Sequence, residues 1–524
     1  MPLARSFSSD YMTVLYGQIK LFESIVTQLT QLNASPKSLE NAGRAALLAA
    51  ALLLPACASL PDRTPAAQSL APESFAATQS LAGPQAAWPS NAWWRGYGDS
   101  QLDGLIDEAL QHSPSLAQAE ARLRAAEAAR GAARANAGPN VELNASVEER
   151  KQSYNNGIPA AFVQQGYNDY GRATLDFSYA IDFWGRNRAA IAAATSDARA
   201  AEAETAQTRL MLSSAIADSY AELARLYAER DIAAQSLDVR TQTVTLVDRR
   251  VRGGLDTQGE LRQAEAGPPT ARADIAALDE SIAQTRYRIA ALLGAGPDRG
   301  LSIARPQIAN LSGFGVPTNL SAELIGRRPD IVAARWRAEA ASQRVGQAQA
   351  SFYPNVNLVA FVGLESLGLD AFARSGSDIG GIGPALNLPI FDSGRLQSNL
   401  RRADAERDAA VASYNETLTE ALRDVAEIVA SSNALQTRID ETRTALGANE
   451  DAYRIARLRY DGGLSNYQSV LISEDRLLTQ RRALAALESR RFTLNIALAR
   501  ALGGGFTTVA ANQTPNSTED QSHG

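Results

Sequence analysis

Chemistry in this chain of 524 residues would rest on very few side chains, because nucleophiles and metal ligands are scarce. Two histidines occur, His112 and His523, and a single cysteine, Cys57. A metal centre built on His and Cys clusters is therefore excluded, and an intrachain disulfide is impossible. Carboxylates are plentiful, but along the helical stretches they alternate with Arg in the manner of solvated faces. Ser, His and Asp converge in no recognisable arrangement, and neither a phosphate loop nor a dinucleotide fingerprint is present. The residues thus argue against an enzyme and imply no cofactor. A net charge of −6 gives no reason to expect nucleic acid as a partner, since phosphate binding needs a basic excess or stripe.

The one thiol with a chemical context is Cys57. Arg44 precedes an apolar run over 45–54, followed by Pro55-Ala56-Cys57. A positive flank, about ten apolar residues and a small residue before the cut describe a secretory signal. The run is too short to cross a bilayer, which takes about 20 apolar residues. Leu54-Pro55-Ala56-Cys57 also resembles a bacterial lipobox, whose cysteine becomes the acylated first residue of the mature protein. Ala58 then fits release to the outer membrane, because Asp is the common retention residue after such a cysteine. The competing reading is an inert, buried cysteine at the end of a hydrophobic helix. Residues 1–43 are long and mixed for a leader, and 58–90, rich in Pro, Ala and Ser, read as an extended strap.

The elements behind these residues come in two copies. Around Pro114 the chain reads SPSLAQAEARLRAAEAARGAARANAGPNVEL, and around Pro329 it reads RPDIVAARWRAEAASQRVGQAQASFYPNVNL. Pro114 and Pro329 stand 215 positions apart, as do Pro139 and Pro354. Gly185 and Gly394, Gly254 and Gly463, and Gly294 and Gly503 are each separated by 209. Self-similarity at a fixed period constrains the whole fold. Each copy opens with proline at the start of a helix of about six turns, over 114–135 and 329–350.

Two stretches of period-two alternation follow in each copy, as strands require. In the first, Val141, Leu143, Ala145 and Val147 alternate with polar residues. Then Leu175, Phe177, Tyr179, Ile181 and Phe183 alternate with Asp176, Ser178, Ala180 and Asp182. The second copy gives Val356, Leu358, Ala360 and Val362, then a weaker strand ending Leu386, Leu388 and Ile390. Beyond the hairpins, 187–252 contains no Gly or Pro, and 395–461 contains only Gly447. At 1.5 Å per residue such helices would reach about 100 Å, which suits a coiled-coil or tunnel arrangement. Both end in a glycine turn, Gly253-Gly254-Leu255 and Gly462-Gly463-Leu464, from which a shorter helix returns. In the first return helix Gly267-Pro268-Pro269 predicts a break or kink near Ala266.

Four amphipathic strands of about ten residues can cross a membrane at a tilt. A sheet in lipid must close, and known single-chain barrels need at least about eight strands, so the strands must be pooled between chains. Three chains would supply twelve. Asp176 and Asp182 would then face a wet lumen. The alternative is a soluble β-sandwich whose alternation separates core from water.

The chain resembles the TolC-like outer-membrane efflux proteins, in particular their lipid-anchored NodT/OprM-type branch. Trp93-Trp94-Arg95-Gly96-Tyr97 with Asp99 and Leu102, Ile181-Asp182-Phe183-Trp184-Gly185-Arg186 and Arg328-Pro329-Asp330-Ile331 carry the resemblance. So do Leu388-Pro389-Ile390-Phe391-Asp392-Ser393-Gly394-Arg395-Leu396 and Ala501-Leu502-Gly503-Gly504-Gly505, in order over 93–506. The resemblance implies a mixed α and β membrane protein. Its long antiparallel coiled-coil helical barrel would stand beneath a shared twelve-stranded barrel of a homotrimer. It implies a periplasmic adaptor touching the tips at Gly253, Gly254, Leu255, Gly462, Gly463 and Leu464, and an RND-type inner-membrane transporter behind it. It places a lipid on Cys57 and the protein in the Gram-negative outer membrane, conducting drugs or other small molecules passively. It also implies a closed-state gate in which Tyr460 bonds Glu260, at a position where the family commonly has aspartate. Two other functions stay open: the outer-membrane channel of a type I protein secretion system, and a non-conducting coiled-coil lipoprotein.

The expected organisation is an extension over 1–43, a signal and lipobox over 44–57, and a strap and equatorial segment over 58–112. Repeat 1 follows over 113–300, a linker over 301–327, repeat 2 over 328–505, and a disordered polar tail over 506–524.

Overall fold

A computed structural model of the chain describes residues 67–71, 75–76, 79–155, 157–308, 315–318 and 320–507. Cys57, the signal and most of the tail lie outside the described residues. Contacts divide the chain into two units. One comprises 1–62 with 388–393, and the other, treated below, comprises 63–387 with 394–524.

A short 3₁₀ turn over Trp93–Tyr97 leads into α1 (Ser100–His112) and α2 (Pro114–Asn136). Strands β1 (Asn140–Arg150) and β2 (Asn168–Ile181) precede the long helix α3 (Arg186–Arg252) and its return α4 (Gln258–Leu292). After α5 (Pro297–Leu301) and α6 (Leu320–Arg327), the order repeats: α7 (Pro329–Ala350), β3 (Asn355–Leu367), β4 (Asp378–Asn387), α8 (Arg395–Asp461) and α9 (Tyr467–Ala501). The segment expected as a plain linker over 301–327 thus holds a helix of its own. Both long helices have 67 residues and both return helices 35, so the duplication holds element by element. At 1.5 Å per residue each long helix spans about 100 Å. Among the described residues no helix is long and apolar enough to cross a membrane.

The strands form one antiparallel sheet in the order β1-β2-β3-β4. Its registers put Glu142 opposite Asp176, Arg172 opposite Glu365, and Leu175 opposite both Leu143 and Val362. Side chains alternate across a strand, so one face collects Val141, Leu143, Val147, Leu175, Phe177, Val362 and Leu386, and the other Glu142, Asn144, Asp176 and Arg172. The apolar face is uncovered: Leu143 and Val147 are each 71% exposed. A soluble sandwich would bury that face against a second layer, and among the described residues there is no second sheet.

The three largest buried clusters among the described residues hold the helices together. Around α1, Leu102, Leu105 and Ile106 pack on Ile216, Tyr220 and Leu223 of α3, with Ile289 of α4 and Ile496 of α9. Its counterpart packs Leu324 and Ile331 on Leu418, Val425 and Val429 of α8 and Leu498 of α9. The third, near the glycine turns, joins the repeats through Val247, Leu261, Tyr460, Tyr467 and Val470.

Of the break or kink expected near Ala266, the break does not occur: α4 is continuous through Pro268 and Pro269. Two backbone donors are lost there, but tertiary contacts hold the turn. Pro268 is buried, Thr270 Oγ1 donates to Ala266 O at 2.9 Å, and Arg240 lies against Gly267. Arg240 Nε in turn donates to the buried Glu474 of α9 at 2.8 Å.

Candidate functional site

The two glycine turns share one backbone solution. Gly254 and Gly463 are left-handed, with φ of 73° and 71°. Gly254 N donates to Val251 O and Leu255 N to Arg250 O; Gly463 N donates to Tyr460 O and Leu464 N to Arg459 O. This Schellman pattern stops each long helix and satisfies its last carbonyls. The hydrophobic residue after such a cap commonly packs back on its own helix. Here Leu255 and Leu464 are instead 69% and 73% exposed.

Beside the turns the repeats cease to be alike. Arg250, in the last turn of α3, grips Asp256 with two bonds, Nε to Oδ2 at 2.9 Å and Nη2 to Oδ1 at 3.2 Å. Tyr460, at the end of α8, donates its hydroxyl to the same Asp256 Oδ2. The guanidinium carbon of Arg250 also stands 4.5 Å from the Tyr460 ring centre, and Arg250 Nη1 donates to Asp461 O at 3.3 Å. Residues of the first turn thus clamp the end of the second long helix. Tyr460 is fully buried, and the Asp256 and Arg250 side chains are nearly so. At the repeat-equivalent positions stand Arg459, Ser465 and Val251, so no second clamp of this kind can form.

Burial alone would raise the Asp256 pKa, but the hydrogen bonds from Arg250 and Tyr460 and the Arg250 charge outweigh it and hold the carboxyl below its usual range. Burial, then the hydrogen bond to Asp256, pushes the Tyr460 phenol well above its usual range. The clamp is therefore a neutral phenol and a guanidinium on a carboxylate, a charge-assisted arrangement.

This corrects the expected Tyr460–Glu260 pair. Glu260 is the N3 residue of a capping box in which Thr257 Oγ1 accepts from Glu260 N and Glu260 Oε2 accepts from Thr257 N at 2.8 Å. Tied to its own helix start, it is not the phenol's partner. Asp256 and Arg250 are the residues sequence reasoning missed. The signal available was that Asp256, directly after the shared Gly-Gly-Leu, is matched by Ser465 in the second copy.

Asp182 needs a second correction. Strand β2 ends at Ile181, and the Asp182 carboxylate accepts from Asn187 N at 3.2 Å and Arg188 N at 2.9 Å, capping the start of α3. It is spent on the helix terminus rather than set in a strand. Asp176 does stand on the polar face, accepting from Asn144 Nδ2 at 2.9 Å and Thr174 Oγ1 at 2.8 Å.

A sheet with one bare apolar face and, among the described residues, two open edges, joined to two helices of about 100 Å, fits a sheet that closes in a membrane rather than a soluble sandwich. The sequence profile of the outer membrane efflux protein family matches residues 105–295 and 320–504, so the chain belongs to that family. The chain is 32% identical over 475 residues to the multidrug resistance outer membrane protein MdtP of Escherichia coli, covering 88% of this chain and 96% of that one. It is 34% identical over 369 residues to the fusaric acid resistance protein FusA of Burkholderia cepacia, covering 69% of each. Among solved structures, the outer membrane protein VceC of Vibrio cholerae is 49% identical with a TM-score of 0.76, covering 80% of this chain and all of that one. Family members are outer-membrane channels rather than enzymes, and this chain is an outer-membrane protein of the same kind.

Proposed function

We propose that the chain is the exit duct of a tripartite efflux pump, conducting drugs or other small organic molecules passively from an inner-membrane RND-type transporter, through a periplasmic adaptor, to the outside. The observation that carries this reading is the bare apolar face of a four-stranded sheet whose β1 and β4 edges are both unpaired among the described residues. Lipid tolerates no open edge, so three chains would close twelve strands, with Asp176 toward the lumen. The drug and fusaric acid resistance named for MdtP and FusA supports small molecules as cargo.

In this reading the exposed Leu255 and Leu464, with Gly253, Gly254, Gly462 and Gly463, are where the adaptor docks. Arg250, Asp256 and Tyr460 hold the tip closed in the resting state. Cys57 carries the lipid that tethers the strap. Deleting the gene should raise drug susceptibility, and the wild-type gene should restore resistance. A Leu255→Ser/Leu464→Ser variant should reach the outer membrane yet restore little. Unchanged susceptibility in the deletion strain across a drug and solvent panel would contradict the efflux reading.

A further inference from the structure

We propose that the free edge of β4 in one copy of this chain pairs with the free edge of β1 in the next in one fixed antiparallel register, with Ala385 opposite Ser146 and Asn387 opposite Asn144. The proposal rests on the shared-sheet reading above and supplies the residue pairing of its joint.

The repeat offsets give the register. Strand β1 maps onto β3 by 215 positions and β2 onto β4 by 209. Moved by these offsets, the β1–β2 pair Asn140↔Ser178 becomes Asn355↔Asn387, which is a pair found in the β3–β4 ladder. The offsets read from sequence therefore hold in the backbone. The β2–β3 ladder is the one junction between repeats inside the chain, and its counterpart is β4 against β1 of the following copy. The same offsets turn Asp176↔Phe361 into Ala385↔Ser146, and Ser178↔Val359 into Asn387↔Asn144.

Backbone parity supports this register independently. Gly368 N donates to Asp169 O at 2.5 Å, and Glu365 N donates to Ser377 O at 2.8 Å. Hydrogen-bonded and non-hydrogen-bonded pairs alternate along an antiparallel ladder. It follows that even-numbered residues of β4 and odd-numbered residues of β1 aim their N–H and C=O groups at the free edges. The proposed register sets these two groups opposite each other, Leu386 against Ala145 and Ile382 against Glu149, whereas a slip of one residue would set bonding positions against non-bonding ones. Pro384 falls on an outward-aimed position, as expected of proline in an edge strand, and removes one rung.

Side-chain size agrees. On the polar face the register sets Gly381 against Arg150 and Gly383 against Glu148, small against long. Gly381 is already covered on its other side, where an added Cβ would lie 2.8 Å from the Phe361 ring. The helices follow the same operation. A Cβ added at Gly346 of α7 would lie 3.9 Å from the Ala189 Cβ of α3, while one added at its counterpart Gly131 of α2 would meet nothing within 4 Å among the described residues. The offsets place Gly131 against Ser398 of the neighbouring copy's α8.

Four positions make the test. Ala385 and Ser146 form a non-hydrogen-bonded pair, whose Cα atoms approach to about 4.5 Å, within disulfide reach. Inside one chain, β1 and β4 are three strand steps apart, about 14 Å, beyond that reach. Ser146→Cys/Ala385→Cys and Asn144→Cys/Asn387→Cys are in register; Asn144→Cys/Ala385→Cys and Ser146→Cys/Asn387→Cys are displaced by two. The expected result, on oxidising outer membranes and running non-reducing gels, is covalent dimers and trimers from the first two and at least tenfold less from the others. Each substitution occurs in one pair of each kind, so a folding defect cannot produce this pattern. Efficient linkage of a displaced pair would overturn the register while leaving the shared sheet in place. No linkage from any pair, with reduced samples of native mass, would overturn the shared sheet itself.

Discussion

Asp256 accepts from Arg250 and Tyr460 at once, and its charge holds the end of α8 against the first turn. Removing the phenol hydroxyl leaves the carboxylate with one partner fewer, a loss of about 1.5–3 kcal/mol for a hydrogen bond to a charged group. Tyr460→Phe should therefore raise the conductance of the reconstituted protein, while Glu260→Gln should leave it unchanged and only loosen the start of α4. A Glu260→Gln channel that opens as far as Tyr460→Phe would count against this assignment. The pH dependence follows from the direction of the Asp256 shift. A carboxyl held below its ordinary value of 3.8 contributes its closing interactions fully above that value and loses them as pH falls through its own lower pKa. Conductance should stay low from neutral pH down to about 4 and climb only below it. Opening between pH 7 and 5 would point to another group.

Among the elements, the glycine turns and helix starts carry the clearest costs. Gly463 is left-handed, and an added Cβ would meet nothing within 4 Å, so Gly463→Ala should cost only the backbone term of roughly 1–2 kcal/mol. Gly503 is also left-handed, but there the Cβ would fall 1.9 Å from Arg327 O, so Gly503→Ala should be far more damaging. Thermal melts of the detergent-solubilised protein compare the two, and equal losses would show that the clash relaxes freely. Much of this level was legible in the sequence, because proline starts, glycine stops and period-two alternation are local signals. The structure departs from these signals where packing or a helix cap claims the residue. Pro268 and Pro269 predict a break from backbone chemistry alone, yet packing of Arg240 and burial of Pro268 keep α4 whole. Tyr460 stands at the turn, but whether it meets Asp256 or Glu260, two carboxylates four positions apart, is settled by packing and by the capping box. Meanwhile Thr257 and Glu260 form a capping box that the sequence displays openly. Alternation sets Asp182 in a strand, whereas its role is set by the helix that begins at Arg186.

At the scale of the whole molecule, duplication explains both what repeats and what does not. Two copies give matched helices of 67 and 35 residues and two hairpins in one sheet, but the sheet edges stay open and the tip clamp forms once. In the proposed function the open edges are closed by other copies of the chain, and the single clamp would give that assembly one closure per chain. In the proposed function such an assembly is a duct closed at its periplasmic end. Single-channel recording in planar bilayers, comparing the wild type with Asp256→Asn at neutral pH, tests it most directly. A duct closed by this clamp should show a low-conducting wild type and a several-fold larger, steadily open conductance when Asp256 loses its charge. Protein that inserts as an oligomer yet passes no current in either form would contradict it.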